Sequence, residues 1–569
     1  MAEKTYRAPL VVLDGSEGAL VAHWPDVQTT PLPGEVSDLA TAAEWALAAG
    51  LGAPKLSKVG EDAGALLVLT ESAVELLGLP VEITDRKSLR VPEDHPARKA
   101  VSEAGWEVSR AGLGPWSFLY RDRAEVHVAV IPWGAFSQHM RWGDMDFVAA
   151  TPPALAYTLG LYASRVITPT GSTAGCSTAL MTALRPRKMV QFERGTGRMR
   201  RVPVPGSLVD PVDPAPPEAP DEHPVAADRT REQSRDPRHV MQEEALVWHR
   251  APTAAEAAAP WVVGLDVNTA FLAASNKLTV GLGEAVYTDG PRFDKKIPGA
   301  WLVDLSGVEL RTKDLHTKES KPLPDGMPSP FTPDGMPPTG PAWYATPTLA
   351  YATELGVEVK PLAAWLRPES GPYLALWYDR LRAAYMDTLA DLGVTEDMGE
   401  GEFLAAMKTV RERDPEAVAL LTAIKQTAKG GIGKMREKPQ GKRPGGRHAP
   451  WPALKRVTWR PDIRAAVISA ARVGAHRKMV KVWNATGAVP LAVLSDCVIY
   501  ASPEPTALAV VARKEDGTPL PGAFRVGPNP GYCKEEGTQS MEWYRGLVAK
   551  DVNPGRFIKD GKEDAGREE

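Results

Sequence analysis

The sequence predicts a mixed α+β protein of several folding units. Three observations carry this. Strand-length apolar runs alternate with helix-period stretches from residue 8 to about 200. A proline- and acid-rich stretch then breaks the pattern. A second region, from about 245 to 560, sets long amphipathic helices between short apolar strands. At 569 residues the chain can hold about three or four units of ~150 residues, each with a sizeable core.

The elements follow in order. LVVLDG, ALLVLT and VHVAVIPW read as strands, and TAAEWALAAGL and ESAVELLGLP read as helices, so residues 1–200 form an α/β domain. Residues 201–244, rich in proline and acid with no apolar period, read as a linker or an extended surface strap. The echo Pro324-Asp325-Gly326-Met327-Pro328 and Pro333-Asp334-Gly335-Met336-Pro337 reads as paired turns in a long loop. Amphipathic helices are expected around 346–356, 373–392, 402–429 and 462–485.

Charge placement matters more than its sum. The net charge is -4, yet residues 425–481 carry sixteen Lys or Arg against Glu437 and Asp462, a local +14. A basic face suited to nucleic-acid phosphate follows. No run of about 20 apolar residues occurs, and the start lacks a signal-peptide pattern, so a cytoplasmic, nucleoid-associated protein without a membrane partner is expected. Cys176, Cys497 and Cys533 show no CxxC spacing, which argues against a disulfide framework or a zinc finger.

Two aspartates stand out. Asp266 ends the strand-like run in WVVGLDVNTAFLAA, and Asp496 interrupts two β-rich runs in PLAVLSDCVIYAS like the tip of a hairpin. A strand end with a helix cap, or a turn aspartate, is the plain reading of each. Flanks this apolar leave a carboxylate partly dry, which calls for a metal or a cationic partner. Between them lies AIKQTAKGGIGKMRE, whose Gly430, Gly431 and Gly433 weaken a helix by up to ~1 kcal/mol each, a cost expected where backbone approaches a ligand or template closely. The following loop mixes Lys and Arg with Trp451 and Trp459, a composition suited to phosphate contact and base stacking. Carboxylates on strand ends plus a lysine-bearing helix are the parts that two-metal nucleotidyl transfer requires.

Together the three blocks resemble family B DNA polymerases, especially the protein-primed branch. The family's Asp-x-Asn-Ser-Leu-Tyr-Pro is matched by Asp266-Val267-Asn268-Thr269-Ala270-Phe271-Leu272, and its Lys-x-x-x-Asn-Ser-x-Tyr-Gly-Lys-Phe by Lys425 through Met435. Its Asp-Thr-Asp-Ser-Val is matched by Leu494-Ser495-Asp496-Cys497-Val498; in a register shifted by two, Val498 would take the metal position. The resemblance implies a right-hand fold of palm, fingers and reduced thumb behind a degenerate exonuclease-like (RNase H-like) α/β domain. The implied layout is exonuclease-like 1–200, linker 201–244, first palm part 245–395 with a proline-rich insertion at 320–342, fingers 396–450, and second palm part with a short C-terminal element 451–569.

It further implies Asp266 and Asp496 as metal ligands for two Mg²⁺, which Mn²⁺ could replace, with Lys425 as their catalytic companion on the triphosphate. Phe271, Lys429, Gly430 and Gly433 would join Lys425 around the nucleotide. Lys434, Arg436, Lys438, Lys442, Arg443, Arg447, Lys455, Arg456 and Lys534 would contact DNA. In the first domain Asp14 and Glu17 stand at the wrong interval for an exonuclease motif, and Glu71, Asp144 and Asp146 have no convincing companions, so that domain is expected to be inactive.

Longer segments, including GSTAGCSTALMTALRP, VDPAPPEAPDEHPV, TAKGGIGKMREKPQGK and WRPDIRAAVISAARV, resemble the telomere-associated proteins of actinomycete linear chromosomes and plasmids. This resemblance implies telomeric DNA with single-stranded or primed ends, a terminal protein and dNTPs as partners. The expected activity is DNA-directed, protein-primed nucleotidyl transfer; the alternative is a non-catalytic telomere-binding platform that recruits the terminal protein.

Overall fold

A computed structural model describes residues 5–83, 89–109, 112–143, 150–192, 199–226, 236–439 and 451–562. The fold is mixed α+β, and the chain divides into two compact units. The first comprises 1–207, 379–392 and 410–434; the second comprises 208–378, 393–409 and 435–569.

The first unit is centred on a seven-stranded sheet. Its strands are β1 (Leu10–Ser16), β2 (Ala19–His23), β3 (Thr29–Pro31), β4 (Ala65–Leu69), β5 (Glu107–Val108), β6 (Trp116–Arg121) and β7 (Ala124–Val130), in the order β3-β2-β1-β4-β7-β6-β5. β1, β4 and β7 run parallel, and the outer neighbours are antiparallel. The three parallel strands are the continuous apolar runs, buried on both faces as covered parallel strands require. Val11, Leu13, Leu67 and Val128 meet the alanine-rich helix Leu39–Ala48 on one side. A two-stranded ribbon, β8 (Lys188–Phe192) with β9 (Met199–Pro203), closes this part of the chain.

Also in this unit, the helix Pro415–Lys434 packs along the helix Thr173–Leu184. One long helix over 402–429 was expected; the structure has Glu400–Thr409 and Pro415–Lys434 instead. The break is the Asp414-Pro415 pair. Asp414 accepts the Glu416 and Ala417 amides as an N-cap, and proline supplies the first helical residue. Residues 410–434, expected with the fingers at 396–450, therefore group with the first unit.

The second unit holds an antiparallel five-stranded sheet in the order β10-β20-β21-β11-β22. Its members are β10 (Val247–His249), β11 (Trp261–Val267), β20 (Ala492–Leu494), β21 (Cys497–Ser502) and β22 (Cys533–Ser540). A four-stranded sheet, β13 (Val286–Asp289), β18 (Ala363–Leu366), β14 (Gly299–Asp304) and β17 (Pro341–Ala345), lies in the same unit. Two small ribbons complete it: β12 (Val280–Gly281) with β19 (Ser370–Gly371), and β15 (Arg311–Lys313) with β16 (Ser320–Pro322). The 26-residue helix Pro461–Thr486 buries Ile463, Val467, Val473 and Met479 along with Arg472 and His476. Among the described residues no helix is long and apolar enough to cross a membrane.

The stretch 201–244, expected as a linker or an extended surface strap, is packed over much of its described length from Leu208 onward. Leu208, Ala215 and Ala219 are buried, and so are the carboxylates of Glu218 and Glu243. Glu218 bonds Arg367 at 2.5 Å, and Glu243 pairs with Arg472. Glu244 grips Arg464 at 2.7 Å and Arg436 at 3.4 Å, and Glu222 reaches Lys438 at 3.3 Å. An acidic, proline-rich segment is thus a strap held by arginines, because carboxylates that leave water need charged partners.

Candidate functional site

Asp266 is the penultimate residue of β11. Across the sheet it faces Cys497 of β21 on one side and Lys534 of β22 on the other. The Lys534 ammonium bonds the Asp266 carboxylate and also reaches Glu536 at 3.2 Å. Glu536 is brought there by a β-bulge, where the register slips between Gly264 and Leu265. Burial lowers the Lys534 pKa, with the Glu536 carboxylate opposing. Burial raises that of the Cys497 thiol, and the Glu536 and Asp496 charges add to it, so Cys497 stays a neutral thiol.

Asp496 sits at the two-residue turn of the β20–β21 hairpin, just before Cys497. Its carbonyl accepts the Val267 N–H at 2.9 Å, which extends the β11–β21 ladder by one step. The two aspartates therefore occupy neighbouring backbone positions on adjacent strands. The residue directly opposite Asp266 is Cys497, one place beyond Asp496.

Backbone strain brackets this place. Ser495, before Asp496, has φ +59°, and Thr269, three residues after Asp266, has φ +45°. A β-branched residue in the left-handed region costs of order 1–3 kcal/mol and marks positions that the surroundings over-determine. The Thr269 hydroxyl is buried without a hydrogen-bond partner among the described residues. Asn268, between them, is buried and donates to the Gly527 carbonyl at 2.7 Å, while its own carbonyl accepts from Gly531 at 2.9 Å. These bonds tie the 527–532 loop beside the strand end.

A cleft of about 350 Å³ opens here, lined among others by Phe271, Lys478, Ser495, Asp496 and Tyr532. Phe271 is half-buried on the short helix Ala270–Ser275. Lys478 donates to the Gly531 carbonyl at 2.7 Å, and burial lowers its pKa. The sequence reading missed Lys478 and Tyr532. Lys478 was findable: Ile468, Ala471, Ala475 and Lys478 repeat at helical spacing, and all four line the cleft.

Lys425, Lys429, Gly430, Gly433 and Lys434 belong to the first unit, and Asp266 and Asp496 to the second. Gly430 and Gly431 face the helix Thr173–Leu184. Added Cβ atoms would lie 2.8 Å from the Ala174 Cβ and 2.0 Å from the Ser177 Oγ, so both glycines exist for close helix packing. Gly433 faces open space. Lys442, Arg443 and Arg447 lie outside the described residues. Arg436 and Lys438 are ion-paired to the strap and Arg456 to Glu437, while Lys455 is exposed. Trp459 does not present a free face for a base, and Trp451 is tied at its edge. Both indoles donate to the Glu437 carbonyl at 3.0 Å, and His223 of the strap stacks on Trp459.

A second cleft, of about 380 Å³, has Lys277, Lys295 and Lys296 at its rim, all exposed and none ion-paired among the described residues. In the first unit, Asp14 accepts hydrogen bonds from Thr70 at 2.6 Å and Ser72 at 2.7 Å, where hydrolysis would need further carboxylates.

Comparison with known proteins adds the following. Residues 11–172, most of the seven-stranded-sheet region, match a family described as Domain of unknown function (DUF8841). No curated protein matches the chain. Among solved structures, Phi29 DNA polymerase complexed with primer-template DNA and incoming nucleotide substrates is similar at 10% identity, covering 95% of this chain and 85% of that one, with a TM-score of 0.38. Phi29 DNA polymerase complexed with single-stranded DNA is similar at 11% identity over 93% and 83%, with a TM-score of 0.37. Similarity of this degree assigns no residue and no activity.

Proposed function

We propose that this chain is a DNA-binding protein with a polymerase-like plan that performs nucleotidyl transfer at the ends of linear replicons, extending a DNA or terminal-protein primer with dNTPs. The observation that supports the reading is the Val267–Asp496 backbone bond, which sets Asp496, a lining residue of the cleft of about 350 Å³, one ladder position from Asp266. The telomeric setting and the terminal protein rest on the sequence resemblance.

The donor set suits Mg²⁺. That ion takes hard oxygen ligands and is held by one or two carboxylates together with substrate phosphates. Asp266 already carries a cation, the Lys534 ammonium. Among the described residues no group of three or more His, Cys, Asp or Glu forms a metal cage; Asp266 and Asp496 would hold the ion with the triphosphate. Bound Mg²⁺ would acidify the attacking hydroxyl and stabilise charge on the phosphoryl oxygens. Lys478 presents an ammonium to a triphosphate in the cleft, and Phe271 and Tyr532 offer rings to its sugar or base. Lys425 is proposed, from the sequence, as a further triphosphate contact. Lys277, Lys295 and Lys296 are better placed for phosphate backbone than Arg436 and Lys438, whose charges the strap already balances. Asp14, tied to two hydroxyls, supports an inactive first domain.

A second reading has a specific observation behind it. Asp266 shares its face with a neutral thiol and an ammonium, an arrangement that also suits a platform that binds DNA ends without chemistry. Labelled dNTP incorporation with Mg²⁺ or Mn²⁺, on DNA and terminal-protein primers, separates the two. Transfer abolished by Asp266→Ala and by Asp496→Ala is expected. Incorporation indifferent to both substitutions would sink the reading, and tight DNA binding without incorporation would favour the platform.

A further inference from the structure

The β8–β9 ribbon is used by nothing above. Residues 185–203 contain seven Arg or Lys and one acid, Glu193. Among the described residues the two strands pair only with each other, as a two-stranded sheet. Their register places Lys188, Val190, Met199 and Arg201 on one face, and Met189, Gln191, Arg200 and Val202 on the other. Met189 and Val202 are half-buried, so the second face is sheltered at its base. The first face is open: Val190 is 57% and Met199 68% exposed, and Lys188 and Arg201 are exposed beside them. Lys188, Arg200 and Arg201 form no ion pair among the described residues, and the described part of the ribbon has no carboxylate.

Exposed methyl groups alone would fit a protein partner. Unbalanced guanidinium and ammonium groups along both strands decide for a polyanion. A two-stranded antiparallel ribbon is also one of the two backbone forms that enter the major groove of B-DNA, which is about 12 Å wide. There, arginine and lysine meet phosphates and guanine edges, and apolar side chains meet thymine methyls. The deep, narrow major groove of duplex RNA excludes such a ribbon.

We infer that the β8–β9 ribbon is a duplex-DNA-binding arm that inserts into the major groove, with Lys188, Arg200 and Arg201 as its anionic-backbone and base-edge contacts. The inference does not depend on nucleotidyl transfer, since the arm lies in the first unit and uses none of the cleft residues.

The test uses the full chain and fluorescence anisotropy on a 20-bp DNA duplex, the matching RNA duplex and single-stranded DNA across a salt series. The triple variant Lys188→Gln/Arg200→Gln/Arg201→Gln should weaken DNA-duplex binding at least tenfold and flatten the log–log salt slope by about 2–3, since each released counterion contributes about 0.9. The charge-keeping variant Lys188→Arg/Arg200→Lys/Arg201→Lys should retain the slope, which controls for misfolding. Unchanged duplex affinity and slope in the triple variant would overturn the inference. So would an equal loss on duplex RNA, or ribbon-dependent binding of anionic vesicles without any of DNA.

Discussion

Asp266 of β11 and Lys534 of β22 stand opposite each other in the ladder and are joined as an ion pair, their side chains only 17% and 18% exposed. Burial of this degree keeps solvent ions from screening the pair. Removing one partner leaves the other charge dry. Lys534→Met is therefore expected to cost about 2–3 kcal/mol, somewhat below the 3–5 kcal/mol of a fully buried pair. Adding Asp266→Asn should recover at least half of that loss. Urea denaturation of the wild type, both single variants and the double variant reads the coupling; additive losses would show that the two side chains do not act as a pair.

The glycines of the Pro415–Lys434 helix separate packing from ligand approach. A Cβ on Gly431 would sit 2.0 Å from the Ser177 Oγ and 2.8 Å from its Cβ, so Gly431→Ala should destabilise by about 1–3 kcal/mol through overpacking. Gly433 meets nothing, and Gly433→Ala should stabilise by about 0.5–1 kcal/mol through helix propensity. Thermal unfolding of both variants checks the opposite signs. Equal effects would mean that the two helices are not in contact at these positions.

These cases show what a single sequence reveals. β1, β4, β7 and β11 were legible because each is mainly apolar over a strand's length, and the Pro461–Thr486 helix because its buried positions recur at helical spacing. The strap was legible only as an alternative to a linker, because what holds it is Glu218 meeting Arg367 across 149 residues and Glu243 meeting Arg472 across 229. Local pattern carries no trace of such pairs. The same blindness gave Trp459 and Gly430 to ligand contact, when His223 stacks on the one and Ala174 packs against the other. Asp266 and Asp496 are both partly buried, as their apolar flanks imply, but whether Asp496 or Cys497 faces Asp266 depends on strand register. A shift of one residue exchanges the faces of a strand.

The strap gives a third prediction. Glu218 accepts from the Ala215 amide at 2.8 Å and from Arg367 at 2.5 Å, and Arg367 and Arg460 also hold Asp462. Burial works against the Asp462 charge, yet the two guanidiniums bring its pKa down to about 2. Burial pushes the Glu218 pKa up while Arg367 opposes it, and with Glu218 ionised the four groups balance as two cations and two anions. Glu218→Gln keeps the shape but strands a positive charge inside, at an expected cost of about 3 kcal/mol. Limited proteolysis should then cleave between Leu208 and Ala226 well before the rest of the chain. Unchanged protection would show that apolar contacts alone hold the strap.

His476 is wholly buried on the Pro461–Thr486 helix. Its Nε2 donates to the Pro328 carbonyl at 3.0 Å, so Nδ1 is left to accept the Tyr351 hydroxyl at 2.8 Å. Both bonds suit the neutral ring. Burial lowers its pKa to about 4, against a slight upward pull from the Pro328 carbonyl. The unfolded chain, with histidine near 6.5, binds the proton first as pH falls. Stability from this residue is thus complete above about pH 6.5 and is lost progressively between there and about pH 4. From pH 7 to 5 the loss should be about 2 kcal/mol, since each pKa unit is worth about 1.4 kcal/mol. Chemical denaturation at the two pH values measures it. His476→Gln should lower stability at pH 7 and remove that share of the pH dependence. An identical pH dependence in the variant would show that other groups titrate in this window and that His476 is not the sensor.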